Sequence, residues 1–103
     1  MNALFAAAAD VHAFCTARGW RFCIIGGLAV QRWGDPRQTR DVDVTLLSGI
    51  GGEERFVDPL LERYSARVQD ARRFALEHRV VLVRTDDGIP IDLHSEAFHT
   101  KRA

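Results

Sequence analysis

The chain has 103 residues, 47% hydrophobic and 27% charged, and its 14 Lys and Arg balance its 14 Asp and Glu. This length fits one domain with a modest core, and the apolar share excludes an intrinsically disordered chain. The absence of net charge excludes a strongly basic surface that would hold nucleic acid non-specifically. We therefore expect one folded domain over residues 1–103, and its charge balance is compatible with a small nucleotide or a local RNA end as a ligand.

The first predicted element is an amphipathic helix that ends near Gly19, a natural C-terminal cap. Phe22 to Ile25 is a short apolar run and is predicted to form a buried strand. Gly26 and Gly27 then predict a tight turn, and Leu28 to Trp33 a short helix. The apolar stripe of the first helix recurs at helical spacing: Leu4, Ala8, Val11 and Cys15.

A second strand is predicted from about Asp41 to Leu47. A helix is expected next, begun by Asp58 with Pro59 at its first position, and a shorter helix is expected around Asp70 to His78. The apolar positions that indicate the longer helix are Phe56, Leu60, Leu61 and Tyr64.

Two further apolar runs, Val80 to Arg84 and Ile89 to His94, flank an Asp87-Gly88 pair, which is a strong hairpin signal. The elements together predict an α/β (α+β) domain. Its mixed sheet should have about four strands flanked by helices.

Two alternating carboxylates open the second strand. Asp41 and Asp43 share one face of it, because successive side chains of a strand point to opposite faces, while Val42 and Val44 point into the core. One Mg²⁺ could bridge the two acids, since this ion prefers carboxylate oxygens and completes its shell with water and phosphates. On its own, however, an Asp-x-Asp pair more often belongs to a solvated edge strand.

Asp92 changes this balance because it interrupts the apolar run from Ile89 to Leu93, where a solvated carboxylate is less expected. The three acids and the Gly-Gly turn together predict a metal site. His94 lies on the same face as Asp92, and we interpret it as a surface histidine at a strand end rather than as a support for the metal.

Gly26 and Gly27 would let the backbone approach a phosphate, with the N-terminus of the following helix aimed at the anion. Arg40, just before the acidic strand, fits two interpretations equally well, a triphosphate contact and a solvated loop arginine. Cys15 and Cys23 lack metal-ligand spacing and are interpreted as reduced core residues.

An apolar strand followed by Gly-Gly (Ile24 to Gly27), then Asp-x-Asp (Asp41 to Asp43) and a third acid (Asp92), resembles the nucleotidyltransferase superfamily of the DNA polymerase beta type. The wording from Thr39 to Asp43 is most similar to small bacterial members related to abortive-infection toxin nucleotidyltransferases. The likeness extends from Ala3 to about Leu93.

The resemblance implies an enzyme that transfers a nucleoside monophosphate from a nucleoside triphosphate such as ATP to an acceptor hydroxyl, releasing pyrophosphate. A cytoplasmic location is expected from the residues themselves, since the two cysteines form no disulfide framework and the apolar start lacks a basic leader. Asp41, Asp43 and Asp92 would be catalytic and bind Mg²⁺, with two ions when the triphosphate is bound. Gly26, Gly27 and Arg40 would bind phosphates. The acceptor could be RNA, a protein or a small molecule.

Relatives of this kind usually continue past the third acid into helices that complete the site, and these are not present before Ala103. We therefore expect a homo-oligomer or a protein partner to complete the site. The alternative is a degenerate domain that binds a partner, such as a component of a toxin-antitoxin system. No membrane attachment is expected, since no apolar run approaches the roughly 20 residues of a membrane span.

Overall fold

A computed structural model describes residues 3–25, 41–47 and 54–96, which form three helices and five strands. The helices are α1 (Ala3–Ala17), α2 (Glu54–Arg63) and α3 (Ala71–His78). The strands are β1 (Phe22–Ile25), β2 (Val42–Leu47), β3 (Ser65–Ala66), β4 (Val80–Arg84) and β5 (Pro90–Glu96).

A mixed sheet with strand order β1-β2-β5-β4-β3 forms the centre of the described structure. β2 and β5 lie side by side and run parallel, whereas each remaining pair is antiparallel. This arrangement confirms the predicted α+β class with a mixed sheet and flanking helices. The sequence predicted about four strands, and the one it missed is β3, whose two residues are too few to carry a period-two pattern.

The core lies on one face of the sheet, where α1, α2 and α3 supply the covering side chains. In β2 the residues alternate strictly, so that Val42 and Val44 are buried while Asp43 between them is not. This confirms the predicted orientation of the acidic strand. The sheet residues of the core are Val42, Val44, Leu46, Val81, Val83, Ile91 and Leu93, and the helices add Leu4, Val11, Phe56 and Leu60 among others.

The opposite face of the sheet carries the residues that alternate with the core positions, and we call it the acid face. It is defined by Asp43, Thr45, Leu82, Asp92 and His94. Cys23 of β1 is exposed, which corrects its interpretation as a core residue, whereas Cys15 is buried as expected. The reason is the same alternation, since Cys23 is the Cα partner of Thr45.

Two glycines hold the left-handed backbone conformation that their turns require. Gly19 has φ +73° just after α1, and Gly88 has φ +88° in the loop between β4 and β5. In that loop the Gly88 N–H donates to the Thr85 carbonyl at 2.9 Å, and the Thr85 N–H donates to the Ile89 carbonyl at 3.0 Å. The predicted cap and the predicted hairpin are therefore both confirmed.

Helix α2 includes Glu54, so the prediction that it starts with Pro59 at its first position is wrong. Phe56 and Val57 lie in the turns before the proline and are 1% and 2% exposed. Burying such side chains stabilises the fold by about 1.5–3 kcal/mol each. Together these burials contribute about 3–6 kcal/mol, at least as much as the roughly 3 kcal/mol that a proline costs inside a helix.

The predicted turn at Gly26 and Gly27 and the predicted helix from Leu28 to Trp33 lie outside the described residues. The shorter helix predicted around Asp70 to His78 is confirmed as α3. Within residues 3–25, 41–47 and 54–96, none of the helices is both long enough and apolar enough to cross a membrane.

Candidate metal site

Two of the three predicted acids are direct neighbours in the sheet. Asp43 of β2 and Asp92 of β5 are Cα partners in the parallel pair, and both side chains lie on the acid face. The buried positions before and after them, such as Val44 and Leu93, fix this register, because a slip of either strand by one residue would place the carboxylate of that strand in the core. The fold therefore brings together two acids that are far apart in the chain.

His94 joins these two acids. One ligand atom from each of Asp43, Asp92 and His94 lies within 4.8 Å of the others, and we call this set the acidic group. His94 stands two residues after Asp92, on the same face, and its Cα partner in β2 is Thr45. The histidine is exposed, as the sequence analysis expected, but it lies beside the acids rather than apart from them.

Asp41 comes directly before β2 and is half-buried. It is not one of the three residues whose ligand atoms converge within 4.8 Å. Its negative charge nevertheless acts on Asp43 and raises the pKa of that carboxyl. Asp41 therefore lies at the margin of the acidic group. It is the one predicted ligand of the three that does not belong to the converging set.

The surroundings of Asp43 oppose the ionisation of its carboxyl. Burial is the largest cause that raises the pKa of the Asp43 carboxyl, followed by the charges of Asp41 and Asp92. His94 and Arg67 act in the other direction and lower the pKa. Because the raising effects prevail, an added positive charge at this position would be favourable.

Arg67 is a functional candidate that the sequence analysis missed. Its Nη2 donates a hydrogen bond to Oδ1 of Asp92, and each of the two side chains is 23% exposed. The Arg67 N–H also donates to the carbonyl of Leu82 at 3.0 Å, which holds its backbone beside β4 directly after β3. No local pattern could have revealed this contact, since it depends on three strands being laid side by side.

The predicted phosphate-binding residues Gly26, Gly27 and Arg40 lie outside the described residues, so these three assignments stay predictions. Cys15 and Cys23 are free thiols and do not belong to the acidic group.

The chemistry of the donors fits a divalent cation. Two carboxylates suit Mg²⁺ and Mn²⁺, and an imidazole nitrogen is a ligand that transition metals accept more readily than Mg²⁺ does. The pKa of Asp43 is raised first by burial and then by the charges of Asp41 and Asp92, and a bound cation would act against both causes by favouring the ionised carboxylate.

Comparison of the chain with family models, with curated proteins and with solved structures finds no match. The function must therefore be argued from the acidic group itself.

Proposed function

We propose that this protein is a metal-dependent nucleotidyltransferase, which moves a nucleoside monophosphate from a nucleoside triphosphate to an acceptor hydroxyl. The observation that carries the proposal is the side-by-side placement of Asp43 and Asp92 on parallel strands, with His94 next to them and Asp41 at the margin. Hard cations prefer carboxylate oxygens, so two carboxylates side by side offer suitable ligands for such an ion. The resemblance of the sequence to nucleotidyltransferases supplies the reaction class.

In the proposed reaction the acceptor oxygen forms a bond to the α-phosphorus, and the bond from that phosphorus to pyrophosphate breaks. When bound, Mg²⁺ would neutralise the phosphate oxygens and favour ionisation of the attacking hydroxyl. Asp43 and Asp92 would hold the ion, and His94 offers a further nitrogen ligand.

The chain's own groups account for the proton of the acceptor hydroxyl. Asp92 donates no hydrogen bond when ionised, and its two carboxylate oxygens can accept several. Asp92 would hold the ion through one carboxylate oxygen, and its other oxygen is the atom we assign to receive this proton. The guanidinium of Arg67 lies close enough to add positive charge for a phosphate oxygen.

The first experiment is a thermal melt of the wild type with Mg²⁺ or Mn²⁺ and each nucleoside triphosphate. A ligand that binds the folded state stabilises it by about 2.7 kcal/mol at a hundred times its dissociation constant. We expect a rise in melting temperature that requires metal and nucleotide together and disappears in Asp43→Ala. Asp58→Asn is the matched control, because Asp58 is an exposed carboxylate in an ion pair on α2.

The second experiment follows transfer of label from α-labelled nucleoside triphosphates to RNA, to proteins and to small hydroxyl compounds. Transfer that persists in Asp43→Ala would contradict the proposed role of this residue. A wild type that melts identically with and without every nucleotide would contradict the enzyme and leave the partner-binding module as the function to pursue.

A further inference from the structure

The ion pair between Arg67 and Asp92 has a feature that an ordinary structural ion pair lacks. The hydrogen bond runs from Nη2 to Oδ1, whereas the Nε of Arg67 is buried and has no hydrogen-bond partner among the described residues. A side-on fork between arginine and carboxylate would engage Nε as well. The guanidinium is therefore held beside Asp92 without all of its donors being satisfied.

The backbone fixes where this guanidinium can reach. Arg67 donates its N–H to the carbonyl of Leu82, and Leu82 is in turn the Cα partner of Asp92. The side chain thus reaches across the position of one strand to a carboxylate two strands away, roughly 10 Å between backbones. The Arg67 side chain, at the edge of the sheet, therefore extends toward the acidic group rather than toward solvent.

The charge of Arg67 extends beyond its hydrogen-bond partner. Arg67 also lowers the pKa of Asp43, which shows that its field covers both carboxylates of the acidic group. A field that favours negative charge at Asp43 opposes, by the same Coulomb interaction, a second cation placed there. Arg67 and a divalent ion therefore compete for one pair of acids.

We propose that Arg67 is the resident counter-ion of the acidic group, which a divalent cation must displace from Asp92 in order to bind. In the metal-free protein Arg67 offsets the repulsion between Asp43 and Asp92. Displacement by the cation frees a guanidinium next to the site, where it can pair with an anionic group of the substrate. This inference rests on the metal site of the proposed function and adds a residue and an order of events to it.

The test is the affinity for Mn²⁺ alone, measured by calorimetry and by electron paramagnetic resonance at low ionic strength. We expect Arg67→Met to bind Mn²⁺ more tightly than the wild type, on the order of tenfold, because one positive charge near the ion is gone. The same variant should melt at a lower temperature than the wild type without metal. A residue that only supports the fold would lower the melting temperature without tightening Mn²⁺ binding.

Two further variants act as controls. Arg84→Met removes the same charge from β4, on the acid-face side of the strand, and should change the Mn²⁺ affinity less than about twofold because exposed charges are screened. Arg67→Lys keeps the charge and should stay near the wild-type affinity. If Arg67→Met does not fold, Arg67→Gln gives the same comparison with a polar side chain.

An NMR measurement on the wild type tests the inference without any variant. Titration with diamagnetic Mg²⁺ should shift the NMR signal of the Arg67 Nε–Hε group and speed rotation of its guanidinium. Both changes should reach half of their maximum at the Mg²⁺ concentration that half-saturates the metal site. A signal that stays unchanged at saturating Mg²⁺ would overturn the inference. So would Mn²⁺ binding in Arg67→Met that is equal to or weaker than in the wild type, since weaker binding would mean that Arg67 positions Asp92 for the ion.

The outcomes separate this inference from the proposed function. Tighter Mn²⁺ binding in Arg67→Met without any nucleotide transfer would overturn the enzyme and support the counter-ion. Transfer that depends on Asp43 together with equal Mn²⁺ affinities would overturn the counter-ion and support the enzyme. Absence of Mn²⁺ binding in both proteins would overturn the metal site and with it both proposals.

Discussion

Two clusters of described residues are built around carboxylates, and they differ in how the acids are matched to their neighbours. In the Asp10 cluster, made of Asp10, Arg63 and Tyr64, the Arg63 Nη2 donates to one carboxylate oxygen at 2.5 Å and the Tyr64 hydroxyl donates to the other at 2.6 Å. In the acidic group, by contrast, Asp43 faces another carboxylate, that of Asp92. Donors meet acceptors in the first cluster, whereas in the second two carboxylates lie side by side and Arg67 donates to only one of them, Asp92.

The pKa shifts express the same difference. Burial and then the hydrogen bond to Asp10 raise the pKa of Tyr64, so that its neutral hydroxyl remains a donor. Burial and the charges of Asp41 and Asp92 raise the pKa of Asp43, so that its ionised form is opposed. Both shifts point upward, yet the first accompanies a satisfied contact and the second accompanies an unbalanced one.

Among the described residues, a cavity lies beside the Asp10 cluster rather than beside the acidic group. A cavity of about 290 Å³ adjoins the Asp10 cluster, between α1, the end of α2 and the loop after β4. The carboxylate of Asp10 in its wall already has both oxygens engaged. We therefore base the proposed function on the unbalanced charge of the acidic group, and the two clusters should respond differently to substitution.

The largest effect is expected on nucleotide transfer. Asp43→Asn should lower transfer at least about a hundredfold, because each tenfold loss corresponds to about 1.4 kcal/mol and metal stabilisation contributes several kcal/mol. Asp10→Asn should leave transfer within about threefold of the wild type, since a threefold change is well under 1 kcal/mol. Initial rates of label transfer measure both variants. Equal losses would erase the functional difference between the clusters.

Stability should respond in the reverse order. Asp10→Ala should lower the free energy of unfolding by about 1–3 kcal/mol, because the Tyr64 hydroxyl, in a residue only 8% exposed, loses its acceptor. Asp43→Ala should cause no loss, or a gain, in metal-free protein. Urea unfolding followed by circular dichroism measures both. A larger loss for Asp43→Ala than for Asp10→Ala would show that the acidic group is structural.

The dependence of stability on pH should be smaller but diagnostic. The pKa of Asp43 lies above its ordinary value of 3.8, so the folded chain holds this proton where the unfolded chain has released it. The contribution of Asp43 to the free energy of unfolding should therefore fall as the pH rises from about 4 through the raised pKa. Melts of the wild type and Asp43→Asn in the presence of a chelator give the difference. Divalent cation in excess should remove the fall, and a wild type that gains stability relative to Asp43→Asn over this range would contradict the assignment.

The smallest effect is expected at an exposed ion pair that belongs to neither cluster. Arg73 donates to Glu77 one turn along α3 at 3.2 Å, and both side chains are more than half exposed. Such pairs contribute about 0.3–0.5 kcal/mol. The free energy of unfolding of Arg73→Gln should thus lie within about 0.5 kcal/mol of the wild-type value. This small change is the baseline against which the effects in the two clusters are compared. A loss above 1 kcal/mol in the free energy of unfolding would mean that the exposure of a contact does not predict how much it contributes to stability.

The sequence predicts those parts of the fold that depend on neighbouring residues. The alternation around Asp43, the Gly19 cap and the Asp87-Gly88 hairpin all act over a few positions, and each is confirmed. The predicted start of α2 was wrong because the burial of Phe56 outweighs the preference of proline for the first position of a helix. Local pattern is therefore sufficient for most elements, although not for their ends.

The candidate site was predictable in part. Asp43 and Asp92 were expected to converge, and strand alternation put each on the correct face. Sequence placed His94 on the face of Asp92 but could not place it within 4.8 Å of Asp43, since that depends on the register of two distant strands. Arg67 had no signal, because its role arises from a two-residue edge strand.

The contrast between the two thiols makes the acid face accessible to spectroscopic labelling. Burial raises the pKa of the Cys15 thiol to about 11, so little reactive thiolate forms there at neutral pH. Cys23 is exposed, and Thr45 lies between it and His94 in the sheet. A maleimide nitroxide should therefore attach at Cys23 without mutagenesis, roughly 10 Å from the His94 backbone, a span over which its coupling to Mn²⁺ reports the position of the ion.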